Sequence, residues 1–192
     1  MEIFSFITGV LYIVLEYMHK KFMWVVGIIS AAAYFLVFMD MRLYAKSVLQ
    51  IYYFLISFYG LYIWYRDRKS VEGAEGQEKK SITYRIPNAK FVTASVLVSV
   101  MVFILLMTVL SSLTSDSMPV LDALSTTLGI VGTYWLSRSY IHVWYIWIIT
   151  DALTTYMVII QGSYMTALLY AIYTAVSVYG YFNWKKRGVM IK

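Results

Sequence analysis

The sequence predicts an all-α membrane protein of seven transmembrane helices, arranged as two parallel three-helix repeats around a linking helix (3+1+3). Three observations predict it: a shortage of charge, a series of apolar stretches of membrane-spanning length, and a self-match at a fixed offset. Only 14% of the 192 residues are charged and 61% are hydrophobic, with a mean hydropathy of +0.69. A soluble domain keeps roughly a quarter of its residues charged, so much of this surface meets something other than water.

A helix needs about 20 apolar residues to cross the hydrocarbon core. Windows of that length give spans near 3–19, 22–40, 44–65, 91–112, 119–137, 140–160 and 163–184. Between the third and fourth spans, residues 66–90 carry Glu72, Gly73, Glu75, Gly76, Glu78, Lys79 and Lys80 and read as a solvated cytoplasmic linker. The plan is a first bundle at 1–65, the linker at 66–90, a linking helix at 91–112, and a second bundle with its tail at 113–192. Met1 and Glu2 supply no basic leader and no cleavage-like site follows, so the first segment is read as a retained span.

Charge placement sets the orientation. With the N-terminus outside and the C-terminus cytoplasmic, only Arg42 and Lys46 of the 16 Lys and Arg residues fall on the outer side. Membrane proteins keep Lys and Arg in cytoplasmic loops in this way, which explains a pI near 9.3 without nucleic acid as a partner. Cysteine is absent, which excludes disulfide and thiol chemistry. His19 and His142 are far apart with no Cys nearby, so neither a metal site nor a cofactor is expected.

Shifting the chain by 120 residues superposes its two ends without a gap: Trp24 falls on Trp144, Ile28 on Ile148, Tyr44 on Tyr164 and Leu49 on Leu169. Tyr53, Ser57, Tyr59, Gly60 and Trp64 then meet Tyr173, Ser177, Tyr179, Gly180 and Trp184, and Gly9 meets Gly129. Three helices per repeat would invert the second copy. The odd fourth helix restores its orientation, which gives parallel repeats, a transporter architecture with substrate near the midplane.

Ionisable groups at membrane depth are costly and usually functional. Asp151 lies near the middle of the sixth span, with no Lys or Arg at its depth. Trp144 and Trp147 precede it at i, i+3, i+7 spacing, which predicts one helix face with an aromatic wall ending in a carboxylate. Such a wall suits a flat cationic ring. Gln50, Tyr53 and Ser57 repeat that spacing in the third span, and Tyr170, Tyr173 and Ser177 hold the same register in the seventh. Trp24 is the repeat partner of Trp144. These tyrosines either line a site or bond between helices. Glu16 either pairs with Lys20 or belongs to an inner gate, and Asp40, Asp116 and Asp122 are expected to be solvated at the outer ends.

The stretch from Trp144 through Trp147 to Asp151 resembles the W-x-x-W-x-x-x-N motif of the Pnu vitamin transporters. Residues 43–53, then Tyr59, Gly60 and Trp64, resemble that family's third helix, and Gln161, Gly162 and Tyr164 also match. The likeness covers nearly the whole chain apart from 66–90. It implies a fold akin to the SWEET sugar transporters, a place in the bacterial inner membrane, and facilitated diffusion of an unphosphorylated vitamin trapped afterwards by a cytoplasmic kinase. It leaves a homo-oligomer open.

Asp151 stands where the nicotinamide riboside members have Asn. A carboxylate favours a cation, so thiamine is the expected substrate, ahead of nicotinamide riboside and then riboflavin; the short N-terminus also looks like the thiamine members. With no nucleotide motif and no second buried charge in view, transport is expected to need neither ATP nor an ion gradient. A seven-helix receptor or a bare membrane scaffold are readings of another class. The last span has no Schiff-base lysine, and no cluster of catalytic groups at one depth suggests an enzyme.

Overall fold

A computed structural model of the chain describes residues 2–40, 44–72, 82–113 and 118–191. Arg42, Asp116 and the middle of the linker lie outside the described residues. Within them run seven helices: α1 (Glu2–Tyr17), α2 (Phe22–Asp40), α3 (Tyr44–Glu72), α4 (Ala89–Leu113), α5 (Pro119–Ser137), α6 (Val143–Ile160) and α7 (Tyr164–Arg187). Two short strands, β1 (Thr83–Tyr84) and β2 (Val189–Met190), pair in parallel.

Local chemistry explains the helix ends. Pro119 opens α5, where its missing N–H costs nothing. The Asn88 side chain accepts a hydrogen bond from Phe91 N at 2.8 Å and caps α4. Gly162 follows α6 with a φ of +75°, a left-handed exit that glycine makes without strain.

Five of the helices, α2, α3, α4, α6 and α7, are long and apolar enough to cross a membrane. The other two expected spans fall short for visible reasons. The 16 residues of α1 rise about 24 Å at 1.5 Å each, less than the core thickness. Helix α5 turns Ser125, Thr126, Gly129 and Thr133 toward an internal cavity, and these dilute its hydropathy.

Positions 120 residues apart occupy matching surroundings. Helices α1 and α5 end in the same turn: His19 N donates to Glu16 O and Lys20 N to Leu15 O, while Ser139 N donates to Leu136 O and Tyr140 N to Trp135 O. This is the Schellman arrangement, with His19 (φ 53°) and Ser139 (φ 57°) in the left-handed position usually given to glycine. The two side chains share a hydrogen bond of 3.2 Å.

Beneath them Trp24, Trp64, Trp184 and Trp144 form a chain of edge-to-face contacts, with centroids 5.3, 6.1 and 5.2 Å apart. All four are at most 2% exposed. The His19 ring stacks on Trp64 at 3.7 Å. Trp64 Nε1 donates to Leu136 O, and Trp184 Nε1 to Tyr17 O, so each half ties its last helix to the other half's first.

The linker departs from the expected solvated tether at both ends. Helix α3 runs on to Glu72, and beyond the undescribed stretch Ile82 and Thr83 are buried. Asp67, 3% exposed, receives Arg85 at 2.5 Å through Nη1 and 3.0 Å through Nη2. Arg85 Nη1 also donates to Arg138 O at 3.1 Å. A buried carboxylate demands this pairing, and the pair fastens the linker to the base of the bundle.

Burial and the nearby Arg68 guanidinium push the His19 imidazole down from 6.5 to about 3. The unfolded chain therefore binds the proton first. Stability is full above pH 6.5 and falls progressively as the pH drops toward about 3. Thermal melts in detergent should show this slope, and His19→Gln should flatten it. At Gly180, an added Cβ would sit 2.6 Å from the Trp144 ring. Gly180→Ala should cost about 1–3 kcal/mol by overpacking, read as a lower Tm with the helix content unchanged.

Candidate functional site

Between α1, α3, α5, α6 and α7 lies a cavity of about 770 Å³. Lys46 and Gln161, both exposed, stand at its mouth together with Asp122. Tyr12, Tyr53, Tyr170 and Tyr173 wall its middle, and Glu16, Trp147 and Asp151 lie deepest, next to the tryptophan cluster that closes the far end. Asp122 thus borders the cavity rather than a plain outer surface.

Asp151 projects from α6 and is 7% exposed. Its one described polar partner is Ser177 on α7, whose Oγ donates to Oδ2 at a long 3.4 Å. Glu16 comes from α1 and is 3% exposed, and its Oε1 has no hydrogen-bond partner among the described residues. The expected pairing with Lys20 does not form, because the Schellman turn takes Lys20 off the helix before the i+4 position is reached. Trp147 stands near Glu16, yet its Nε1 is also buried without a partner. The site floor therefore offers two carboxyl groups, with an indole N–H beside one of them.

The structure brings Glu16, Tyr53, Trp147, Asp151 and Tyr173 to this cavity. Four other expected residues lie elsewhere. Trp144 packs in a notch at Gly180, and Trp24 in the matching notch at Gly60, which leaves no space for either to reach the cavity. The i, i+3 step rotates Trp147 about 60° from Trp144, enough to separate a core residue from a lining one. Gln50 faces a second groove, of about 280 Å³, with Ala31, Phe35 and Phe54. Ser57 bonds back to Tyr53 O at 2.7 Å and lies against Gly27.

Tyr12 and the α5 face escaped the sequence reading, while Tyr170 lines the cavity beside Tyr173. The Ser125, Thr126, Gly129 and Thr133 positions of α5 were the available signal, since small and polar residues on one helix face suit a cavity wall or a close helix contact. A second signal is the asymmetry of the offset. The positions matching Trp147 and Asp151 are Gly27 and Ala31, so aromatic wall and carboxylate exist in one half alone.

The sequence expectation of transport without an ion gradient rested on Asp151 being isolated. Glu16 in the same cavity removes that ground.

Membrane-length helices around a cavity that holds two buried carboxyl groups suit a membrane transporter, and comparison with known proteins shows the family. The chain belongs to the nicotinamide mononucleotide transporter family, whose model matches residues 1–186. It is a multi-pass membrane transporter and not an enzyme, as the resemblance to the Pnu transporters implied. Nicotinamide riboside transporter PnuC of Escherichia coli (strain K12) is 26% identical over 93% of this chain and 82% of its own length. The protein of the same name from Neisseria mucosa is 27% identical, over 94% of this chain and 70% of its own. A crystal structure of the vitamin B3 transporter PnuC superposes with a TM-score of 0.70 at 24% identity, covering 95% of this chain and 79% of that one.

The expectation of thiamine finds no support in these relatives, whose names give nicotinamide riboside. Thiamine and nicotinamide riboside both carry a cationic ring, so the charge of Asp151 does not separate them.

Proposed function

We propose that this protein carries nicotinamide riboside, a pyridinium nucleoside, across the membrane into the cytoplasm. The observation that carries the reading is the floor of the cavity, where Trp147 stands with two carboxyl groups in a chain of this family. An indole face attracts a flat cation, by up to about 2 kcal/mol when desolvated, and a carboxylate supplies its counter-charge. The tyrosine hydroxyls of the middle wall suit the ribose hydroxyls.

The matched environments at offset 120 support an arrangement of two parallel bundles about an axis along the membrane normal, with all seven helices embedded in the membrane and α1 the shortest of them. Trp24 and Trp144 join one cluster at the same end of the molecule, as parallel repeats require. Charge placement supports a cytoplasmic C-terminus. In that orientation the mouth at Lys46 and Gln161 faces outward, and the tryptophan cluster seals the cytoplasmic side. Transport needs no ATP, and net uptake depends on a cytoplasmic kinase that phosphorylates the vitamin and prevents its return.

Purified protein in liposomes should take up labelled nicotinamide riboside without ATP, with thiamine competing weakly and neutral riboflavin not at all. Uptake of thiamine with none of nicotinamide riboside would overturn the substrate assignment. Trp147→Ala should weaken nicotinamide riboside binding by about 1–2 kcal/mol through the lost cation–π face, measured by calorimetry. Its elution as a monodisperse species should be unchanged.

A further inference from the structure

Glu16 is the feature that the motif resemblance does not account for. It lies outside the tryptophan motif, on a different helix from Asp151, and its buried Oε1 lines the cavity without a partner. The two carboxyls, from α1 and α6, are both buried and line one cavity. We propose that Glu16 and Asp151 form one proton-exchanging cation subsite, in which a bound monocation replaces a carboxyl proton.

The groups facing the pair allow little else. Tyr12, Tyr53, Tyr170 and Tyr173 are neutral hydroxyls on three helices, and the charged Lys46 and Asp122 stand at the distant mouth. No cation among the described residues neutralises the floor. An unpaired ionised carboxylate removed from water costs several kcal/mol, and two like charges in one desolvated site repel each other further. The substrate-free pair therefore keeps its protons. When a cation enters, one carboxyl O–H bond breaks, the proton leaves to water, and the carboxylate stays as counter-ion to the ligand. The net charge of the cavity is the same before and after.

This inference rests on the proposed substrate, and the experiment separates the two. Nicotinamide riboside is titrated calorimetrically into the full-length protein at pH 7, in two buffers of different ionisation enthalpy. The wild type should release about one proton per ligand, with affinity rising up to about tenfold per pH unit through the release range. Glu16→Gln and Asp151→Asn should each still bind. Each keeps one carboxyl beside a neutral amide in place of a neutral acid, so each should still release about one proton over a similar pH range. The double variant should release none. Equal enthalpies in both buffers, with wild-type affinity flat in pH, would overturn the exchange while leaving the substrate assignment intact.

Failure of nicotinamide riboside to bind at any pH would instead sink the substrate assignment. Infrared spectroscopy of the substrate-free protein then decides the exchange alone. A protonated-carboxyl band at neutral pH, weaker in each single variant and lost in the double, supports it, and its absence from the wild type refutes it.

Discussion

Everything above the base of this molecule depends on how its two halves are joined at the closed end. Four indoles meet edge to face, and His19 stacks on one of them while bonding Ser139 across the join. Lipid tails are as apolar as the side chains, so the bilayer offers helices no hydrophobic reason to associate; close packing and hydrogen bonds must do it. Edge-to-face aromatic pairs are worth about 0.5–1.5 kcal/mol each beyond their area. The indole N–H groups of Trp64 and Trp184 add bonds to backbone carbonyls of the opposite half.

That join has a cost in backbone strain, since two residues other than glycine hold left-handed conformations. Such conformations cost on the order of 1–3 kcal/mol each and persist where surrounding contacts over-determine them. Glycine would relieve the strain and remove both side chains of the bond. Sequence and packing therefore agree on why histidine and serine occupy positions that local preference gives to glycine. The Asp67–Arg85 pair and the short parallel strands reinforce the same end from below.

Away from the base, with its His19–Ser139 and Asp67–Arg85 pairs, the cavity gathers a second set of polar groups. A charge at membrane depth must pair, hydrogen-bond or neutralise. Asp151 has a long bond to Ser177, while Glu16 Oε1 has none among the described residues. Ligand recognition and the cost of burying charge are thus one problem at this floor. Trp147 and Asp151 have Gly27 and Ala31 as their counterparts at the offset, and Glu16 comes from α1, so residues of unlike position meet at one floor.

The sequence by itself determined the helices, their spacing, the offset that relates the halves and the motif that ties the chain to its family. Those properties are local or periodic: apolar run length, Pro119 and Gly162 at helix boundaries, and Tyr53, Gly60 and Trp64 recurring as Tyr173, Gly180 and Trp184. Asp151 stood out for the same reason, as a charge in an apolar run. Only the tertiary structure decided which tryptophan faces the cavity, because the notch at Gly180 claims Trp144 and leaves Trp147 free. It also set Glu16 beside Asp151, two residues that are far apart in the chain and on helices with no periodic relation. Helix spacing gives the angle between neighbours on one helix. Which of those angles meets a cavity is set by what the other helices bring against it.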